Sequence, residues 1–146
     1  LDTNHLDLVL LHSNGDEEFE TTAHLAAFPA LKKLKDEGLI RAFGMSTKTL
    51  AGGRLTLQHA DVVMLTYHEG YEDEHPLILE AAQQNKGVLV KKSLGSGHLP
   101  NPTDALAFVL KEEGVSSVVM GTVNIAHLEA NCSVASRDRK VEILKK

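Results

Sequence analysis

The chain has 146 residues, 42% hydrophobic and 24% charged, a composition that suits one globular domain, residues 1–146, with a single sizeable core. Its formal charge of -5 comes from basic residues scattered among more numerous acids, which leaves no basic stripe for a phosphate backbone and argues against nucleic acid as a partner. The apolar runs are strand-sized and no charged, apolar leader precedes them, so neither a membrane span nor a signal peptide is expected and a cytoplasmic protein is.

The first element is announced by Leu8 to Leu11, four consecutive aliphatics that are too few for a helix and fit a strand covered on both faces. Strands of that kind belong to parallel sheets, whose C-terminal ends face the ligand in α/β proteins, and this one ends on His12. Residues 25 to 37 place Leu25, Phe28, Leu31 and Leu34 three apart before Gly38, which predicts an amphipathic helix that either starts near residue 28 or kinks at Pro29. "LIRAFGMS", 39 to 46, reads as a strand, followed by a helix-like stretch through "LTLQHA" that Gly52 and Gly53 interrupt. "VVMLTY" (62 to 67) is a strand, "PLILEAAQQNK" (76 to 86) a helix opened by Pro76, and "GVLVKKSL" (87 to 94) a strand. "PTDALAFVLKEE" (102 to 113) reads as a helix and "SSVVMGT" (116 to 122) as a strand, and Asn124 caps a last helix carrying Leu128, Cys132 and Ala135 on its core face. Cys132, the only cysteine, has no partner for an internal disulfide, fits a reducing compartment, and reads as a small core residue.

Strict alternation with short loops implies a parallel sheet with helical crossovers, either open and doubly wound or closed as a barrel. Five units average about 29 residues, and eight would need about 234, close to the usual size of a (β/α)8 barrel. The chain would then supply most of one, and Leu1, standing where an initiator Met is expected, predicts something longer. Every strand end is polar: His12 and Ser13, Ser46 and Thr47, Tyr67 and His68, Lys91 to Ser93, Gly121 and Thr122. "LGSGH" (94 to 98) and "GTVN" (121 to 124) follow the last two strands, where barrels commonly hold a phosphate on free backbone N–H groups, with Ser96 and Thr122 as added donors. There is no GxGxxG after the first strand, which argues against a Rossmann dinucleotide fold.

In order and spacing, "LDLVLLH", "LKKLKDEGLIRAFGMST", "VVMLTYHEG", "ILEAAQQNKGVLVKKSLGSG" and "VSSVVMGTVNIAHLEANCS" resemble the second part of an aldo-keto reductase, over nearly the whole chain. The resemblance implies a (β/α)8 barrel of the TIM type, of which this chain supplies about five units, binding NADP(H) in an extended pose and passing hydride to an aldehyde or ketone. His12 matches the histidine that hydrogen-bonds the carbonyl oxygen being reduced. Ser46 and Thr47 match the Ser-Asn pair that holds the nicotinamide carboxamide, with Thr47 a departure, and Met64 stands where a glutamine commonly helps. Lys91 falls where many members stack a tyrosine under the nicotinamide, so that only its aliphatic stem packs there. Leu94, Gly95 and Ser96 match the pyrophosphate-side loop, Gly121 and Thr122 the turn facing the adenosine phosphate, and Asn131 the adenine contact. His127 replaces an arginine used for the 2'-phosphate, which weakens the expected NADP preference and leaves NAD(H) open. The family's Asp, Tyr and Lys precede the histidine strand, so of the four catalytic groups this chain is expected to carry only His12 and to need the missing barrel segment or to self-associate.

Three other readings compete. A metal-dependent barrel hydrolase would use His12 and His68, but no acidic third ligand stands at another strand end and no metal is expected. A Schiff-base enzyme would use Lys91 or Lys92, one kept neutral by its neighbour. A half-barrel without activity would bind only a nucleotide or a partner. Tyr67 as a substitute acid is weaker than Tyr67 packed at the barrel mouth, and of two adjacent strand lysines at least one points away from the interior.

Overall fold

The computed structural model describes residues 2–15 and 17–138, excepting the side chains of 17–21, 23–25 and 137–138. Five strands, β1 (Leu6–His12), β2 (Ile40–Ser46), β3 (Val62–Thr66), β4 (Gly87–Lys91) and β5 (Ser117–Val118), alternate with five helices, α1 (Glu17–Asp36), α2 (Leu50–His59), α3 (His75–Gln83), α4 (Pro102–Leu110) and α5 (Ile125–Asp138). The strands form one sheet in the order β1-β2-β3-β4-β5, and all four adjacent pairs are parallel. Each crossover steps the same way along the sheet. Because such crossovers are right-handed, every helix falls on one face, whereas a doubly wound sheet reverses its strand order and is covered on both. The strand order therefore decides for an arc of a barrel.

Alternation along the strands divides the residues. Val63, Leu65 and Tyr67, with Val88 and Val90, pack against Leu57, Leu77, Ile78, Ala81 and Val109 of the helices in the larger core. Phe43 and Met45 pack on Phe28, Leu31 and Ala60 beside it, the Phe28 and Phe43 rings meeting edge to face at 5.5 Å. Their alternates, His12, Ser46, Met64 and Leu89, are register partners across four strands and share the opposite, concave face.

Several elements differ from their expected bounds. Helix α1 begins at Glu17 and runs through Pro29, so it does not start near 28; burial of Phe28 and Leu31 offsets the hydrogen bond that proline lacks. Leu34 is 36% exposed instead of buried, and the side chain of Leu25 lies outside the described residues. Gly52 and Gly53 sit inside a continuous α2, capped by Thr49, whose side chain accepts from Gly52 N. A Cβ on Gly53 would come within 2.2 Å of Leu77 Cδ1, so this glycine serves the close approach of α2 and α3, not a break. Helices α3 and α4 end at Gln83 and Leu110, a few residues early. Strand β4 stops at Lys91 because Lys92 turns left-handed, at φ 56°. Strand β5 shrinks to Ser117–Val118, flanked by Ser116 N donating to Val88 O and Val119 N donating to Val90 O, and among the described residues it pairs with β4 alone. On α5 it is Val134 that is buried, at 8%; Leu128 is 50% exposed and Cys132 is exposed, not a core residue.

Candidate functional site at the C-terminal rim of the sheet

Two groups of residues gather at the C-terminal ends of the strands. The first is a polar row on the concave face. His12 ends β1, exposed, directly opposite Ser46 at the end of β2. Ser46 is 3% exposed and Thr47 fully buried. Thr47 is pinned by its N–H on Met64 O at 2.9 Å and its hydroxyl on the same oxygen at 3.4 Å, while Ser13 N donates to Ser46 O at 3.0 Å. Lys91, the last residue of β4, reaches over β3 to the same place: its Nζ donates to Ser46 Oγ at 2.9 Å and to Thr47 O at 2.6 Å. Its ammonium is thus a hydrogen-bonding part of the row, not only a packing stem. Lys92 is exposed and off the strand, so the two lysines diverge as alternation requires.

The second group surrounds a cavity of about 210 Å³ between the loops after β4 and β5 and the start of α5, where Leu94, Gly121, Thr122, His127 and Asn131 meet Thr103 of α4. Helix α5 is presented to it by a cap: Asn124 Oδ1 accepts from Ala126 N at 2.9 Å, and the Thr122 hydroxyl accepts from Asn124 N at 3.1 Å. Gly95 and Ser96 follow Leu94 in a single 3-10 turn, Gly95–Gly97, both at positive φ, 56° and 59°, and neither lines the cavity. A larger side chain at Gly95 would press within 3.2 Å of Leu99 Cγ. Next to this turn, His68 is fixed by a backbone bridge to Tyr71 and by Nδ1 accepting from Gly70 N at 3.2 Å, an arrangement that leaves its ring proton on Nε2.

The sequence reading missed Thr103, which the N-cap string "NPTD" could have placed in the first turn of α4, and Glu74. Glu74 is 2% exposed and its Oε2 accepts from Thr66 N at 2.5 Å, holding the end of β3 from beneath. No periodicity marks such a residue. Tyr67 was expected at the barrel mouth, but it faces the helices, stacked on His75 at 5.3 Å and against Phe108 at 5.3 Å. Burial first, then the charges of Glu112 and Glu72, raise its phenol above the ordinary value, the wrong direction for a proton donor at neutral pH. Among the described residues no three His, Cys, Asp or Glu side chains gather into a metal-ligand set. No described helix is long and apolar enough to cross a membrane.

An arc of parallel strands with its helices outside and its polar residues at the C-terminal rim is a partial barrel of the (β/α)8 kind. The model of the aldo/keto reductase family matches residues 1–104, and the chain belongs to that family. Among solved structures it is similar to a Pseudomonas aeruginosa protein assigned to the aldo-keto reductases, with 38% identity and a TM-score of 0.84 over 94% of this chain and 52% of that one. It shares its fold with an aldo-keto reductase from Bacillus halodurans (20% identity, TM-score 0.74, 92% of this chain, 56% of that one). The same holds for one from Klebsiella pneumoniae in complex with NADP and acetate (22% identity, TM-score 0.71, 92% and 54%). The chain thus spans about half the length of the structures it matches. No curated protein matches it.

Proposed function

We propose that residues 1–146 form one domain, the C-terminal five strand-helix units of an aldo-keto reductase barrel that reduces an aldehyde or ketone with NADP(H), NAD(H) remaining an alternative cofactor. The observation that carries this reading is convergence. Leu94, the Gly121–Thr122 pair and Asn131 come from three separate segments yet line one cavity, while His12, Ser46 and Lys91 share one face of the sheet. The donor set suits the group: hydroxyls, amides and the start of a helix for phosphates and adenine, and for a carboxamide the Ser46 hydroxyl, with Thr47 fully buried behind it.

In this reading Ser46 and Thr47 hold the nicotinamide end, Leu94, Gly95 and Ser96 the pyrophosphate, and Gly121, Thr122 and Asn131 the adenosine end, with His127 beside it. The dinucleotide supplies hydride when bound. His12 donates a hydrogen bond to the substrate carbonyl and orients it, and the proton comes from a tyrosine outside this chain, tuned there by a lysine and an aspartate. Replacing His12 with Ala should lower turnover far more than cofactor affinity, and equal loss of both would contradict the role.

One observation supports a second reading, an inactive half-barrel that binds a nucleotide or partner. Among the described residues the concave face is half-buried and β5 has a neighbour on one side only. Light scattering on the purified chain together with an aldehyde assay separates the two. Activity once the remaining barrel segment is supplied fits the reductase reading. NADPH binding without reduction in the completed barrel fits the second.

A further inference from the structure

We propose that Lys91 sets the redox preference of the nicotinamide subsite: its ammonium, fixed beside Ser46 and Thr47, favours the reduced, uncharged ring over the oxidised, positively charged one. The inference rests on the reading of Ser46 and Thr47 as carboxamide-holding residues and adds to it the sign of the charge next to them. Lysine side chains are ordinarily mobile, but this one leaves β4, passes β3 and is tied at 2.9 Å to Ser46 Oγ and at 2.6 Å to Thr47 O on β2. Both of these contacts are to acceptors, which suits the donor-only ammonium. They are held in turn by the ladder through Ser13 N on Ser46 O and Thr47 N on Met64 O, so the charge has a defined position at the rim.

Oxidised and reduced dinucleotides present the same phosphates, sugars and adenine, and differ at the nicotinamide by one positive charge. The ratio of their affinities therefore cancels every contact except those at that ring, and a fixed cation beside it weakens the oxidised form. For one partly solvated charge pair the expected effect is about fivefold to tenfold.

The test is titration of the full chain with NADPH and with NADP+, followed by the ratio of the two dissociation constants, which requires no turnover. Lys91→Met should reduce the preference for NADPH about fivefold, Lys91→Arg should retain it, and raising the salt concentration should shrink it in the wild type. A merely structural Lys91 would weaken both forms together, and a ratio unchanged in Lys91→Met overturns the proposal. Should that variant not fold, the wild-type salt series decides, since a ratio that does not move with salt also overturns it. Binding of neither form would instead overturn the dinucleotide reading of the rim, and this proposal with it.

Discussion

The two faces of the sheet are built from the same five strands and reach different ends. Toward the helices Val63, Leu65, Val88 and Val90 are 0% exposed, while their strand neighbours on the concave face, Leu8, Leu10, Met64 and Leu89, are only half-buried. One-way crossovers explain the difference, because they put every helix on the convex side and leave the concave side to be covered by whatever completes the barrel. The candidate site belongs to the second face: His12, Ser46 and Lys91 stand along its upper rim. The described residues close the core that positions the site and leave its concave side half-buried.

The largest effect is expected where the sheet is tightest. A Cβ on Gly44 would lie 1.8 Å from Val62 O, so Gly44→Ala must push β2 and β3 apart and should cost about 3 kcal/mol or more, read as a collapse of the thermal transition. Next comes a pair that tests the faces directly. Leu65→Ala should cost about 3 kcal/mol in denaturant unfolding and Leu89→Ala about 1 kcal/mol, since the second side chain is already half in water. Equal costs would mean that the concave face is covered in solution, by a second copy or by the rest of a barrel. A smaller loss, about 1–2 kcal/mol, is expected for Asp61→Asn. Its carboxylate accepts from Phe43 N at 3.1 Å and pairs with Lys35 at 2.6 Å, joining β2 to α1 on the convex side.

The smallest effect concerns pH. Tyr67, whose phenol is raised by burial and by Glu112 and Glu72, contributes stability that is complete below the unfolded value of about 10 and is lost as pH rises through the higher folded value. Tyr67→Phe should therefore flatten the alkaline fall of Tm, and an unchanged fall would remove Tyr67 from the cause.

Much of this was legible in the sequence, for physical reasons. Runs such as Leu8 to Leu11 and "VVMLTY" announce strands because burial on both faces demands aliphatics in sequence, and the polar residues ending them mark the rim. What failed to show was tertiary. The glycines of α2 read as a break because the sequence does not display Leu77 lying against them. The strand expected at 116 to 122 shortened because pairing depends on a neighbour outside the run. In the sequence Tyr67 reads as a residue of the barrel mouth because the face it takes depends on where the alternation of β3 starts. At the site, the resemblance placed Lys91 under the nicotinamide as a stem, and only the fold shows its ammonium tied to Ser46 and Thr47.

The most direct measurement is a calorimetric titration of NADPH into the full chain and its Gly121→Asp variant. Nothing lies within 4 Å of a Cβ at Gly121, so aspartate there costs no packing and its charge acts only on what enters the neighbouring cavity. The account predicts saturable binding to the wild type and at least about tenfold weaker binding to the variant, because a carboxylate would stand where phosphate is received. Absence of saturable binding to the wild type, or equal binding by both, would contradict it.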